Sequence, residues 1–394
     1  MGRTTKKDLI IKYQNKFESQ FKDKTHFTAI APGRINIIGE HTDYNLGLAM
    51  PIAIDRWICS IVSIREDNKF KIYSANFDEE VFISKDQLDK KTENWKKYVF
   101  GCIQVFINKY NINKGFNILI GGNIPIGFGM SSSASLEVSL LSSLYSACKI
   151  SIDYHTILEL SNKVEKEFLG IQSGVLDQYA SIFSKKNKPI LIDFSSLTHT
   201  YVNSNIKGAS WLLINSMVQR ALVESKYNER VSECQCALKI INDSEEKNIK
   251  FYELNKYHLE QLKDHPILYK RIYHIISENN RVMLMRQALG NGDLDLIGDI
   301  LNKSHVSLSR DYQVSCNEIE AIIQISKKQK GFYGGRIMGG GFGGNSINLV
   351  KEGKEEEYYN YIIKNYKQKF NIDVDTYKVN FSNGVEIIDN ISVD

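Results

Sequence analysis

The sequence predicts an α+β protein built in two halves, with a ligand site between them. Strand-like and helical segments alternate up to about residue 215, the stretch 228–327 is mostly helical, and the residues after 327 return to alternating structure. Because ligand sites occur preferentially where such units meet, we expect the functional residues at that boundary. The predicted domains are residues 1–205 and residues 206–394.

The first half is expected to alternate helices with strands. Its predicted helices carry apolar residues at a spacing of three to four, and its predicted strands are apolar or alternating runs bounded by turn residues. The helices are predicted at 1–21, 95–110, 133–149 and 154–169. The strands are predicted at 27–31, 57–64, 69–74, 116–121 and 189–194.

The second half is expected to begin with a strand at 211–215. Charged faces and apolar stripes predict helices through most of 228–327. Strands are then predicted near Ile337, at 346–350 and at 376–381. We detect no internal repeat, so a solenoid or other repeat architecture is not expected.

Composition narrows the class of protein. The 394 residues suit two ordinary domains or one large one, and 42% hydrophobic with 24% charged residues is typical of a globular protein. The net charge of +4 is spread along the chain, and lysine-rich stretches such as 185–188 suggest solvated loops, so no nucleic-acid partner is predicted. No stretch approaches the roughly 20 apolar residues that span a bilayer, so no membrane partner is predicted.

Cysteine usage and the first twenty residues predict a cytoplasmic protein. The six cysteines form no C-x-x-C pair and no zinc spacing with the eight histidines, which indicates reduced thiols. Residues 1–20 are charged and lack the apolar run of a signal peptide.

A row of polar side chains follows an apolar strand in the stretch GRINIIGEHTDYN, residues 33–45. Glu40, His41 and Asp43 bring two carboxylates and an imidazole together, which suits a ligand made of hydroxyls. The flanking glycines let the backbone turn tightly. The alternative is a polar turn in which Asp and Asn cap the next element.

A glycine–serine loop, PIGFGMSSSAS at residues 125–135, runs into a predicted helix. Its glycines allow successive N–H groups to point inward, and the helix N-terminus adds partial positive charge where a phosphate would lie. The loop contains no G-K-[ST], so it is not a P-loop. The alternative is an ordinary loop whose serine caps a helix.

A third cluster lies in EKEFLGIQSGVLDQ, residues 165–178. Asp177 stands at the start of an apolar helix, where the helix dipole favours a carboxylate. A carboxylate there can also accept the proton of an attacking hydroxyl, so a stabilising and a chemical role remain open. Glu165 in the same stretch is, on the simplest reading, a solvated helix residue.

These stretches resemble the motifs of the galactokinases, the sugar branch of the GHMP kinase superfamily. The first is similar to GR-x-N-L-I-G-E-H-T-D-Y-N, with Ile37 for leucine, and the second to P-x-G-x-G-L-S-S-S-A-S, with Met130 for leucine. The third is similar to G-x-x-C-G-I-M-D-Q but departs at residues 173, 175 and 176, and the glycine run at 339–344 is similar to M-x-G-G-G-F-G-G. The resemblance extends from about residue 31 to about residue 350.

The resemblance implies a two-domain GHMP kinase fold, with a ribosomal-S5-like α/β domain, a ferredoxin-like α+β domain and the active site in the cleft between them. It implies ATP-dependent phosphorylation of galactose at the anomeric hydroxyl, giving galactose 1-phosphate and ADP. The implied cofactor is Mg²⁺, the implied partners are galactose and ATP, and the implied state is a monomer.

The resemblance also implies individual roles. Asp177 would be the catalytic base, with Arg34 as the cation beside it. The sugar would contact Glu40, His41, Asp43, Gly174 and Tyr227. ATP would contact Gly127, Phe128, Gly129, Met130, Ser131, Ser132, Ser133, Trp95 and Tyr98. The metal would be held by Ser133 and Glu165.

Other functions remain open within and beyond this chemistry. N-acetylgalactosamine kinase and arabinose kinase are the near alternatives, and Arg220-Ala221, where His-Ser is frequent in the family, leaves the sugar preference open. Sugar-sensing transcriptional co-inducers resemble galactokinases but are shortened within S-S-S-A-S. Residues 131–135 are complete here, which favours the enzyme. Mevalonate-type kinases lack the E-H-T-D cluster.

Overall fold

A computed structural model describes residues 4–24, 26–88, 92–125, 128–218, 223–245 and 247–388. The strands in these residues are β1 (Phe27–Asn36), β2 (Leu48–Ala49), β3 (Pro51–Arg65), β4 (Lys69–Ser74), β5 (Glu79–Ser84), β6 (Gly115–Gly122), β7 (Ile190–Asp193), β8 (Thr198–Tyr201), β9 (Ala209–Asn215), β10 (Phe332–Met338), β11 (Asn345–Lys351), β12 (Asp375–Lys378) and β13 (Glu386–Ile388). The helices are α1 (Lys6–Phe21), α2 (Trp95–Tyr110), α3 (Ser132–Ala147), α4 (Tyr154–Phe168), α5 (Leu176–Phe183), α6 (Val223–Glu245), α7 (Pro266–Asn291), α8 (Leu294–Arg310), α9 (Asn317–Ser326) and α10 (Glu355–Phe370).

The first half is built on a six-stranded sheet in the order β13-β1-β3-β6-β4-β5, in which only β4 and β6 run parallel. Both faces of this sheet are covered. Phe17 of α1 packs on one face with Cys59 and Ile61 of β3. Ile58 and Val62 of the same strand belong to the cluster formed with α2, α3 and α4 on the other face. Burial on both faces explains why β3 is almost continuously apolar.

The second half is built on an antiparallel four-stranded sheet in the order β10-β11-β9-β12. Leu212 and Ile214 of β9 face a cluster that includes residues of α6, α9 and α10. Leu213 and Ile347, which point the opposite way, belong to the same apolar cluster as Ile35 of β1. The two halves therefore share a continuous apolar core.

A late segment of the chain returns to the first sheet. Strand β13 pairs antiparallel with β1, so that Ile388 lies opposite Thr28, and Phe381 forms an isolated bridge with Ile54. The division into residues 1–205 and 206–394 stays a prediction. A smaller sheet of β2, β7 and β8 lies beside the first. Among the described helices, none is long and apolar enough to cross a membrane.

The predicted α+β class is confirmed, with differences in detail. The strand predicted at 27–31 continues to Asn36, because a register shift between Pro32 and Arg34 accommodates the proline and lets β1 keep pairing with β3. Arg34 thus stands on a strand. The sequence analysis also missed α10, a helix whose acidic first turn and lysines in the last turn suit the helix dipole.

Candidate active site

A cavity of about 150 Å³ lies where the two halves meet, and we call it the polar cavity. The residues predicted to bind sugar or carry the chemistry all line it: Arg34, Glu40, His41, Asp43, Gly174, Asp177 and Tyr227. Glu165, Gly339 and Gly340 line it as well. The structure therefore brings together residues that lie up to three hundred positions apart in the chain.

Asp177 is held at both carboxylate oxygens. Arg34 on β1 donates from Nε to Oδ1 at 2.9 Å, and its Nη2 forms an ion pair with the same oxygen at 2.7 Å. The Ser131 hydroxyl, at the N-terminus of α3, donates to Oδ2. Arg34 also donates from Nη1 to the carbonyl of Gly129 at 2.7 Å, which ties the glycine–serine loop to the same guanidinium. Asp177 is thereby fixed between the glycine–serine loop and the polar cavity.

Glu40 is anchored from the second half of the chain. Its Oε1 accepts from Arg336 Nη1 at 3.0 Å and from the backbone N–H of Gly339 at 2.9 Å. Its backbone carbonyl is hydrogen-bonded to His274 Nε2 at 3.1 Å. The glycine run at 339–344 therefore lies against the loop that carries Glu40, His41 and Asp43.

His41 presents a neutral imidazole to the cavity. Burial, with the nearby charges of His274 and Arg230, lowers the pKa of His41 to about 3. Its Nδ1 is hydrogen-bonded to the Tyr44 hydroxyl at 2.8 Å. Its Nε2 is buried and has no hydrogen-bond partner within the described ranges. A buried ring nitrogen of this kind is suited to a hydroxyl of a ligand.

Asp43 and Gly174 form a tight pair across the cavity wall. A Cβ added at Gly174 would collide with the carboxylate of Asp43, so the absence of a side chain there is what admits the aspartate. Burial raises the pKa of Asp43 to about 7, and the charges of Asp177 and Glu40 add to the effect. The surrounding protein groups therefore do not fully compensate a negative charge on Asp43.

Glu165 is buried, with 8% of its surface exposed, so it is not the solvated helix residue that its sequence context suggests. Burial raises its pKa to about 7, opposed by a hydrogen bond from the Ser173 hydroxyl and reinforced by Asp177 and Asp43. Behind it, burial raises the pKa of the fully buried Glu137 well above its usual range. The carboxyl groups are concentrated on this side of the polar cavity.

A second cavity, of about 390 Å³, opens beside the start of α3, and we call it the aromatic cavity. Four residues predicted to contact ATP line it: Trp95, Tyr98, Ser132 and Ser133. Phe77 lines it too and stacks on Trp95 at 6.4 Å between ring centroids, with 13° between the planes. Trp95 keeps its polar atom satisfied by donating from Nε1 to Glu79 at 3.1 Å. The sequence analysis did not identify Phe77.

The described residues of the glycine–serine loop lie between the two cavities, since Ser131 contacts Asp177 and Ser132 and Ser133 line the aromatic cavity. Met130 is buried in the core, and its carbonyl accepts from the Arg34 backbone N–H at 3.2 Å. A Cβ at Gly33 would lie 2.5 Å from that carbonyl, which explains the glycine. The Phe128 carbonyl accepts from the side-chain amide of Asn345 at the start of β11. Gly127 and the predicted specificity positions Arg220-Ala221 lie outside the described residues.

Arg336 and Asn345 are site residues that the sequence analysis missed. A signal for Arg336 exists in the sequence, because it is the lone charge in the strand FYGGRIM just before the glycine run. Asn345 offers no comparable signal, since an asparagine after glycines is typical of an ordinary turn.

Three protein-family models match the chain. Residues 97–185 match the GHMP kinases N terminal domain, residues 285–368 match the GHMP kinases C terminal domain, and residues 15–64 match the galactokinase galactose-binding signature. The last of these covers β1 and the loop that carries Glu40, His41 and Asp43.

The chain is also similar to curated proteins and solved structures. It is 38% identical to the galactokinase of Clostridium acetobutylicum, over 97% of this chain and 100% of that protein. It is 39% identical to the galactokinase of Thermosipho africanus, over 90% and 98%. The crystal structure of Lactococcus lactis galactokinase complexed with galactose matches with a TM-score of 0.89 at 33% identity, over 96% and 99%.

A more distant match concerns the fold alone. The mevalonate kinase of Methanococcus jannaschii matches with a TM-score of 0.63 at 19% identity, over 91% of this chain and 99% of that one. Together with the domain matches, these structures confirm the two-domain fold that the sequence motifs imply.

Proposed function

The chain belongs to the galactokinase family of the GHMP kinases, and we infer that it transfers the terminal phosphoryl group of ATP to the anomeric hydroxyl of galactose. The products are galactose 1-phosphate and ADP, which is the entry reaction of galactose metabolism. Membership rests on relatives at 38% and 39% identity that the chain matches over nearly their full length.

One observation carries the proposal at the level of chemistry. Asp177 is fixed by Arg34 and Ser131 at the wall of a cavity lined by hydroxyl-binding side chains, directly beside a phosphate loop. A carboxylate in this setting can receive the proton of an attacking sugar hydroxyl, while the guanidinium offsets negative charge on the transferred group. If the transition state is loose, Asp177 mainly orients the hydroxyl.

We propose that the sugar is bound by Glu40, His41, Asp43, Gly174 and Tyr227. Two features of the polar cavity support this assignment. The buried Nε2 of His41 has no partner in the described part of the chain. The carboxyl of Asp43 has its pKa raised to about 7 by burial and by neighbouring carboxylates, so a hydroxyl that donates to it would relieve an unfavourable arrangement.

We propose that ATP extends from the polar cavity into the aromatic cavity. Residues 128–133 would contact the phosphates, with the N-terminus of α3 contributing its partial positive charge, and Gly127 completes the predicted loop. Trp95 and Tyr98 would pack against the base, with Phe77 beside them. The apolar lining suits a flat aromatic ring better than it suits a sugar.

We propose Mg²⁺ held by Glu165, which lines the polar cavity, and by Ser133, which lines the aromatic cavity. Glu165 is a buried oxygen ligand whose pKa is raised to about 7 by burial, with Asp177 and Asp43 adding to it, so nearby positive charge would be favoured. Two protein oxygens suit Mg²⁺, which commonly takes one or two protein ligands plus phosphates and water. Such an ion would neutralise charge on the phosphates of ATP.

The experiment is a coupled ADP-release assay with Mg²⁺ against galactose, N-acetylgalactosamine, arabinose and glucose, with calorimetric sugar binding in parallel. Turnover that is strongest with galactose is the expected result. Stronger turnover with a different sugar would support the kinase activity and contradict galactose as the substrate. Sugar binding without turnover would indicate a sensor and overturn the kinase. A monomeric state and a cytoplasmic location stay predictions, the first testable by sedimentation equilibrium.

A further inference from the structure

A fully buried arginine of the second half reaches into the sugar-binding loop of the first. Arg336 stands on β10 opposite Ile347 of β11, and 0% of its surface is exposed. Arginine is almost never fully buried unless its charge and its N–H groups are satisfied. Its acceptors therefore indicate what the side chain does.

The guanidinium of Arg336 donates to four oxygen atoms. Nε donates to the Ile37 carbonyl at 3.0 Å, and Nη2 donates to the Asn36 carbonyl at 2.5 Å. Nη1 donates to the Ile337 carbonyl at 2.6 Å and to Glu40 Oε1 at 3.0 Å. Because the guanidinium is planar and rigid, it fixes the positions of its four acceptor oxygens relative to one another. Arg336 thus positions both the backbone that leads to Glu40 and the Glu40 carboxylate itself.

The contacts also determine which oxygen of Glu40 is left for a ligand. Arg336 and the Gly339 N–H both donate to Oε1. Within the portion of the chain that is described, every hydrogen bond to this carboxylate ends on Oε1. Since Glu40 lines the polar cavity, Oε2 is the acceptor that it offers there.

We propose that Arg336 is a positioning residue for the sugar substrate. It orients Glu40 so that Oε2 accepts from a sugar hydroxyl, and it makes the sugar site depend on contact between the two halves. Arg336 is not among the residues that line the polar cavity, so it acts through Glu40 and not on the sugar. The proposal rests on the proposed function of the polar cavity as the sugar site.

A matched control for simple stability exists in the same half. Arg271 on α7 is 1% exposed and makes a comparable set of contacts. It donates to Glu233 at 2.6 Å, to the Asp311 carbonyl at 2.5 Å and to Gln313 at 2.9 Å. None of these acceptors is among the residues that line the polar cavity in the described chain. If Arg336 were only structural, lysine at either position would have the same consequences.

The test compares Arg336→Lys with Arg271→Lys in the full-length protein. Melting temperature, calorimetric galactose binding without nucleotide, kcat, and the KM of each substrate are measured. Arg336→Lys is expected to raise the Kd and KM for galactose about tenfold or more, because an ammonium does not reach four oxygens arranged for a planar fork. The KM for ATP should change less than about twofold. Arg271 lies over the ring of Tyr312, whose hydroxyl is hydrogen-bonded to Tyr44 beside His41. Arg271→Lys should therefore lower the melting temperature and change galactose affinity much less than Arg336→Lys does.

A double-mutant cycle shows whether Arg336 acts through Glu40. In a Glu40→Gln background, Arg336→Lys is expected to change galactose affinity much less than it does in the wild type. Additive losses, or a lowered melting temperature with unchanged galactose affinity in Arg336→Lys, would overturn the proposal. If Arg336→Lys does not fold, Arg336→Gln replaces it, since the glutamine amide still donates hydrogen bonds but reaches fewer of the four oxygens. Unchanged galactose affinity in that variant would overturn the proposal equally.

Failure of this proposal is distinguishable from failure of the proposed function. Turnover by the wild-type protein is measured first. An absence of turnover with any sugar refutes the kinase. Galactose turnover combined with insensitivity to Arg336 refutes only the positioning role.

Discussion

Three consecutive serines face two cavities that are built in different ways. The Ser131 hydroxyl bonds to Asp177 in the polar cavity, whereas Ser132 and Ser133 line the aromatic cavity. The polar cavity takes its walls from both halves of the chain, and Arg336 on β10 anchors Glu40 there. All described residues that line the aromatic cavity belong to the first half. Sugar affinity should therefore depend on how the halves dock, whereas binding of the base in the aromatic cavity should depend on the packing of the first half.

The cavities also differ in the forces that shape them. In the polar cavity, burial raises the pKa of Asp43 and of Glu165 to about 7, which shows that the negatively charged form of each carboxyl group is disfavoured there. In the aromatic cavity, Phe77 and Trp95 stack and leave an apolar surface. Removing one charged group should therefore lower ligand affinity strongly, whereas removing apolar surface should lower it in proportion to the area lost.

The largest effect is expected at Asp177, whose substitution should lower the turnover rate without abolishing galactose binding. Asp177→Ala should lower kcat by about 10²–10⁴-fold, the usual contribution of a positioned acid–base group, while galactose still binds. Steady-state kinetics and calorimetry measure the two quantities. Asp193→Ala is the control, because that carboxylate on β7 bonds to Ser195 on the surface. Full activity in Asp177→Ala would remove Asp177 from the mechanism.

The second effect tests whether the polar cavity binds sugar independently of nucleotide. Asp43→Ala should weaken galactose binding by about 1.5–3 kcal/mol, because hydroxyl donors lose a charged acceptor. The KM for ATP should stay close to that of the wild type. An equal loss of affinity for galactose and for ATP would contradict the assignment of separate binding roles to the two cavities.

The same carboxyl groups predict a pH dependence of stability. Their pKa values are raised in the folded protein to about 7, so between about pH 4 and pH 7 the folded state keeps protons that the unfolded state has released. The contribution of these two carboxyl groups to the free energy of unfolding should therefore fall as the pH rises through this window. His41 and His274 act in the opposite direction, because burial lowers their pKa values to about 3 and about 4. Urea denaturation at several pH values measures the sum, and Asp43→Asn should make the slope of the free energy of unfolding against pH more positive than it is in the wild type. A slope that is unchanged or less positive in Asp43→Asn would contradict the burial argument.

The smallest effect belongs to the aromatic cavity. Phe77→Ala should raise the KM for ATP a few-fold, corresponding to about 0.5–1.5 kcal/mol for a lost aromatic contact, with galactose affinity unchanged. Phe82→Ala is the matched control, since Phe77 and Phe82 are 48% and 53% exposed and Phe82 lies beside Arg65 and Lys69 on the outer strand. Equal effects of the two variants on ATP would argue against a base-binding role.

The sequence predicted the fold class and the membership of the polar cavity well, because local motifs carry both. Glu40, His41 and Asp43 stand together in the chain, and Asp177 lies in a motif of its own. The contacts of Arg336 and Phe77 were not predictable, since they depend on how a strand of the second half docks and on which turn approaches α2. The burial of Glu165 was missed for the same reason, because helix position alone does not reveal what covers a face.

The pairing of β13 with β1 has a consequence for the newly synthesised protein. Strand β1 carries Arg34, and its outer edge is paired only when residue Ile388 arrives opposite Thr28. Ribosomes add about 5–20 residues per second, so that edge stays open for most of translation. An open strand edge is a template for pairing with other chains. The nascent polypeptide should therefore be most prone to aggregation, and most dependent on chaperones, until β13 has emerged.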